Sequence, residues 1–158
     1  MPSLRSVLDA GCVAVDVAAI SKDAALSALV DMMAESGITH DGAGLLRAVL
    51  EREALAPTGI GSECAIPHAQ TDAVAETRMA AIRLAQPIDF GAPDGTAARL
   101  VFLIVGPKDS AALHLRLLSR LARVLSDDDI RSRLLAVADA TAFMDVLFST
   151  DPPPSACA

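Results

Sequence analysis

The sequence predicts an α/β fold: a single domain with a mixed parallel and antiparallel sheet flanked by helices. Three observations predict it. The patterned segments run strand, two helices, several short strands, then three helices, so both element types belong to one layered unit. The segment 99–105 is apolar almost throughout, as a central strand covered on both faces must be. The 158 residues suffice for one core, and neither an internal repeat nor a linker-like stretch divides them.

Val13 to Val17 is a β-branched run interrupted by a small and an acidic residue, and reads as the first strand. Ser21 is placed to cap a helix in which Ala25, Leu26, Leu29, Val30, Met32 and Met33 recur at helical spacing, and Gly37 ends it. A second helix starts near Asp41, carries its apolar stripe on Leu45, Leu46, Val49 and Leu50, and is closed by Pro57. The glycines of Thr58-Gly59-Ile60-Gly61-Ser62 mark a loop, and Pro67 holds Ile66 extended. Two strands follow, 78–84 and 99–105, separated by turn-forming residues between Ile88 and Gly95. The last three helices are predicted over 110–125, 127–137 and 141–148, with Ser126 and Asp129 as a capping box for the middle one. The domain is thus expected to span 1–150, and the proline-rich segment 151–158 to be a disordered tail.

Composition narrows the function. Net charge is −7, and there is neither Trp nor Tyr, so the basic footprint and stacking platforms of a nucleic-acid binder are missing. The longest strongly apolar run, 100–105, is far short of the ~20 residues that span a bilayer, which argues against membrane insertion. The amino-terminal residues lack a signal-peptide layout, and three widely spaced cysteines make no disulfide framework; a cytoplasmic protein is expected.

The chemistry centres on the three histidines. His40, at a helix start, reads as a surface or capping residue. His68 follows a glycine-bearing loop and a proline. Backbone N–H groups of Thr58, Gly59 and Gly61 in such a loop can wrap an anion, and a neutral imidazole beside them can attack phosphorus. Spacing alone leaves a structural His68 equally open. His114 falls in the first turn of a helix with Leu117, Leu118, Leu121 and Leu125 near its face and Arg116, Arg120 and Arg123 on another ridge, the pattern of a histidine at the core edge. Arg52 shares a side of the second helix with Leu45 and Val49, where it either snorkels over the core or reaches the segment leading to His68. Arg47 and Glu51 are placed to pair on another side of that helix. Cys64, His68 and His114 make a thin metal set, lacking a fourth ligand.

The string EREALAPTGIGSECAIPHA, residues 51–69, closely resembles the active-site segment of the fructose/mannitol-type IIA components of the bacterial phosphoenolpyruvate-dependent phosphotransferase system. HLRLLSRLA, 114–122, resembles that family's second histidine motif, and QPIDFGAPDG, 86–95, looks like its nitrogen-regulatory branch. The match runs in order from about Leu4 to Phe148. The resemblance implies that His68 accepts a phosphoryl group on Nε2 from an HPr-type phosphocarrier protein, that His114 assists transfer, and that Arg52 orients the group. It implies neither cofactor nor metal. Onward partners would be regulated proteins or a IIB component; the regulatory role is favoured because the sequence shows no IIB or membrane domain. Ser62 and Glu63 depart from the asparagine and glycine usual there, and a carboxylate at 63 is expected to weaken donor binding.

Overall fold

The computed structural model describes residues 3–151. Strand β1 is Val13–Val17, and helices α1 and α2 are Lys22–Glu35 and Gly42–Leu55. Ser21 caps α1, its hydroxyl accepting from the Ala24 N–H at 3.1 Å. The helix ends as expected at Gly37, whose φ of +76° only glycine adopts without strain. Asp41 caps α2 through the Gly44 N–H at 2.9 Å, so His40 beside it stays exposed and caps nothing.

The stretch expected to be a loop is instead a hairpin of β2, Gly59–Gly61, and β3, Cys64–Ala65. Its two-residue turn puts Ser62 and Glu63 at φ of +54° and +65°. Both values belong to the left-handed region that a tight hairpin turn requires and that Asn-Gly supplies most readily. Side chains of the following loop hold the less suited pair in place. The Ser62 N–H donates to the Asp94 carboxylate at 2.9 Å and the Glu63 N–H to the Thr96 hydroxyl at 3.2 Å. The Ser62 N–H contributes most to holding the Asp94 carboxyl below the usual carboxylate range, followed by the Thr96 N–H and hydroxyl, which also donate to it.

After β3 the chain enters Pro67, which has no N–H to give, and resumes pairing as β4, His68–Gln70. The long strands β5 and β6 are Arg78–Ile88 and Ala98–Gly106. The sheet order is β1-β5-β6-β3-β2, with β4 also on β6. Pairing is parallel for β1 with β5 and for β3 and β4 with β6, and antiparallel for β5 with β6 and β2 with β3. The sheet is therefore mixed, as predicted. β6 lies at its centre, and every residue of it but Arg99 is buried. Covering such a strand on both faces removes each Leu, Ile or Phe side chain from water, about 1.5–3 kcal/mol apiece.

Helices α3, Ala111–Leu125, α4, Asp128–Ala136, and α5, Ala140–Phe148, complete the chain. α1 packs on β5, α2 on α1 and β4, α3 and α4 on β6, and α5 on β1. The capping box expected at Ser126 does not form. Asp127 caps α4, accepting from the N–H groups of Asp129 and Ile130, while the Ser126 hydroxyl turns back to the Arg123 carbonyl. Arg83 of β5, 5% exposed, donates to the carbonyls of Leu134 and Val137 at the end of α4 and to Asp16 at 3.1 Å.

Asp151, expected in the tail, belongs to the fold. Its side chain is 2% exposed and accepts from the N–H groups of Leu4 and Arg5, each at 3.0 Å, and from Arg120 at 3.1 Å. The remainder of the predicted tail, 152–158, lies outside the described residues. Among the described residues no helix is long and apolar enough to cross a membrane.

Candidate functional site

Three elements converge on an open cleft of roughly 420 Å³: α2 contributes Ala48, Glu51, Arg52 and Leu55, β4 contributes His68, Ala69 and Gln70, and α3 contributes His114. His68 is fixed by sheet pairing. It sits opposite Ile104 in parallel register, and the Ile104 N–H donates to the Pro67 carbonyl at 3.1 Å. Its ring is fixed as well: Nδ1 lies 2.9 Å from the Ile66 carbonyl oxygen. A carbonyl only accepts, so Nδ1 carries the hydrogen and Nε2 keeps the lone pair. Burial pushes the His68 pKa down, helped by the Arg52 charge; the Ile66 carbonyl and the Glu53 charge oppose that shift. At neutral pH the ring is neutral.

His114 stands in the first turn of α3, with its ring 5.4 Å from that of His68, centroid to centroid, and tilted by 60°. It is 5% exposed, and neither ring nitrogen has a hydrogen-bond partner among the described residues. Burial, then His68, then Arg52 bring its pKa to about 4. Such a ring can share a proton or bond an anion's oxygen once an occupant arrives, and has no competing partner to surrender.

This burial has a thermodynamic consequence. The unfolded chain protonates His114 near pH 6.5, while the native state resists until about pH 4. The unfolded state therefore binds more protons across that window, and native stability declines as pH falls through it. The difference amounts to about 3 kcal/mol. Urea unfolding of wild type and His114→Gln between pH 7 and 4.5 should give converging stabilities as acid is added; parallel curves would refute this role of the ring.

Arg52 is half-buried, with Nη1 donating to the Ala56 carbonyl at 3.2 Å. That bond holds the guanidinium at the carboxyl end of α2, on the cleft shared with both histidines. The expected pair of Arg47 and Glu51 is not among the ion pairs of the described residues; Glu51 instead lines the cleft.

The structure thus brings His68, His114 and Arg52 together, but Thr58, Gly59 and Gly61 do not line the cleft. Of the N–H groups expected to wrap an anion, that of Gly59 is committed elsewhere. The Thr58 hydroxyl donates to Glu53, and the Gly59 N–H donates to the Phe90 carbonyl at 3.0 Å. A side chain at Gly59 would meet that carbonyl oxygen at 2.8 Å, and one at Gly61 would meet the Asp94 carboxylate at the same distance. These glycines permit close packing of the hairpin. Glu63 does not line the cleft either. Cys64 points its thiol at the Ser62 carbonyl, and burial pushes its pKa to about 12. Among the described residues no group of His, Cys, Asp and Glu is arranged to hold a metal.

Sequence reasoning missed Glu53. The buried stripe of α2 is Leu45, Val49 and Glu53, spaced by four, with Arg52 flanking it. The spacing was readable, but a carboxylate in a buried stripe runs against the usual placement of charge.

Comparison with known proteins places the sequence and the fold. The fructose-specific EIIA component of Haloferax volcanii is 40% identical over 127 residues, 80% of this chain and 82% of that protein. A nitrogen regulatory protein of Bradyrhizobium diazoefficiens is 39% identical over the same shares. The crystal structure of nitrogen regulatory protein IIA-Ntr from Neisseria meningitidis superposes with a TM-score of 0.84 at 30% identity, covering 90% of this chain and 97% of that one. Residues 6–149 match the family model described as "Phosphoenolpyruvate-dependent sugar phosphotransferase system, EIIA 2", and the chain belongs to that family of phosphoryl carriers.

Proposed function

We propose that the chain accepts a phosphoryl group on His68 Nε2 from an HPr-type phosphocarrier, with Arg52 orienting the group and His114 assisting its passage, in a nitrogen-type regulatory role. The observation that carries this reading is the bond from His68 Nδ1 to the Ile66 carbonyl, which leaves Nε2 as the free nucleophile beside a guanidinium and a second neutral imidazole. Transfer between histidines needs in-line positioning and charge neutralisation, and these groups supply both. The partners of the regulatory form are proteins that bind the unphosphorylated face, because a phosphoryl group adds roughly −1.5 to −2 charge there.

A second reading, a IIA subunit that hands the group to a IIB cysteine, is favoured by the 40% identity to a fructose-specific component, level with that to the regulatory relative. Loading the protein with phosphoenolpyruvate, enzyme I and an HPr-type carrier, then capturing partners from lysate with loaded and unloaded forms, separates the two. Regulation predicts targets captured by the unloaded form. Exclusive capture of IIB proteins by the loaded form, with loss of one sugar's uptake on deletion, would replace it by transport.

Arg52→Lys is expected to slow loading roughly ten- to a hundredfold. A planar fork holds two phosphoryl oxygens and an ammonium does not, a difference of about 1.5–3 kcal/mol if expressed in the transition state. Wild-type kinetics in rapid-quench loading of Arg52→Lys would leave the residue as a cap on α2 alone.

A further inference from the structure

Behind the cleft lies a group that the phosphoryl chemistry above does not use. Glu53 is 6% exposed; one carboxylate oxygen accepts from the Thr58 hydroxyl, and the other, Oε2, has no hydrogen-bond partner among the described residues. A buried carboxylate with an idle oxygen is costly unless a positive charge repays it. Its one bond starts a chain that ends on His68. The Thr58 carbonyl accepts from the Ile66 N–H at 3.0 Å, and the Ile66 carbonyl accepts from His68 Nδ1 at 2.9 Å.

We propose that Glu53 is a positioning residue for phosphoryl transfer: it fixes the segment that aims His68, and its charge stabilises the positive ring that forms when Nε2 is phosphorylated. The inference rests on His68 being the acceptor. In the step, the Nε2 lone pair forms a bond to phosphorus while the donor's P–N bond breaks and its electron pair stays on the donor's ring nitrogen. Nδ1 keeps its hydrogen throughout. The His68 ring, neutral before attack, thus becomes an N-phosphoryl imidazolium, and the Ile66 carbonyl and Glu53 are the acceptor and the counter-charge on its far side. The charged and titratable groups around His68 are Arg52, Glu51 and Glu53 from α2 and His114 from α3. The guanidinium serves the phosphoryl oxygens and the carboxylate the ring, so the two adjacent residues act on opposite ends of the bond being made. The Glu53 charge already favours the protonated His68 ring.

Two substitutions divide charge from linkage. Glu53→Gln keeps an oxygen for the Thr58 hydroxyl but removes the charge. Thr58→Val keeps the charge but frees the carboxylate from its anchor, and Thr58→Ser restores the bond. Ring ¹⁵N shifts of His68 are followed against pH by NMR in the unphosphorylated protein, alongside loading rates. With Glu53→Gln the His68 titration should move to lower pH and loading should slow on the order of tenfold, well below the ~10⁴-fold loss seen where a carboxylate touches the catalytic histidine directly. Thr58→Val should also slow loading, and Thr58→Ser should recover it. An unmoved titration with wild-type loading in Glu53→Gln overturns the proposal and makes Glu53 a hairpin anchor only. Should Glu53→Gln not fold, wild-type loading in Thr58→Val overturns it instead. If the wild-type protein takes up no phosphoryl group, the acceptor assignment fails, while the titration arm still reports on Glu53.

Discussion

Replacing His68 by alanine is expected to abolish acid-labile phosphorylation outright, rather than slow it. The argument is one of available lone pairs. The His68 ring lines the cleft, and its Nε2 keeps a lone pair because Nδ1 carries the hydrogen. His114 is the other imidazole there, but at 5% exposure it is buried where a donor's phosphorus has little access. With no acceptor nitrogen, no P–N bond forms, so no fold-change describes the loss. Intact-mass measurement after incubation with phosphoenolpyruvate, enzyme I and an HPr-type carrier should show one added phosphoryl group on wild type, lost in acid, and none on the variant. Circular dichroism guards the comparison, since a half-buried side chain at the sheet edge is removed. A variant that still gains an acid-labile group would move the acceptor to His114 or elsewhere. Gain of an acid-stable group would point to a hydroxyl.

The second large effect concerns the fold. Asp151→Ala is expected to destabilise the protein by about 3–5 kcal/mol, the cost of breaking a buried charge pair from one side. Three donors lose their acceptor at once: the N–H groups of Leu4 and Arg5, and Arg120, whose side chain is 17% exposed and whose Nε already lacks a partner. The Thr150 carbonyl, 2.9 Å from the same guanidinium, cannot replace a carboxylate. Midpoints of thermal unfolding should drop by roughly 10 °C for a chain of this size, with Asp151→Asn in between because it retains one oxygen for the main-chain donors. A drop below 2 °C in the alanine variant would show that water takes the carboxylate's place.

The parts of this fold that were legible in sequence are those governed by local period. The helical stripes of α1 and α3, the cap at Ser21, the start of α2 near Asp41 and the almost wholly apolar β6 announce themselves within a few residues. The hairpin at 59–65 did not, because its turn carries Ser62-Glu63 where Asn-Gly would have signalled it, and the support comes from Asp94 and Thr96, some thirty residues on. Asp151 looks like tail in the sequence because its partners lie at the other end of the chain. The trio at the cleft was legible only in part. Order along the chain gave His68, His114 and Arg52 as separate candidates; their meeting depends on β4 pairing with β6 in parallel and on α2 packing against β4. The expectation that Thr58, Gly59 and Gly61 hold the anion rests on glycines offering free N–H groups, and a long-range bond to the Phe90 carbonyl takes that of Gly59.

The bonds from Leu4 and Arg5 to Asp151 also close the polypeptide into a near-ring. Points 147 residues apart along the chain meet within hydrogen-bonding distance. A bridge of a few residues would therefore join them with little loop-closure entropy, and new ends could be opened at exposed turns such as that near Gly95 without altering the order of the sheet. In that sense the domain is topologically portable. It could be spliced into a host chain through a single doorway, entering and leaving at one place, while the strand bearing His68 and its partner β6 stay in the interior of the circuit.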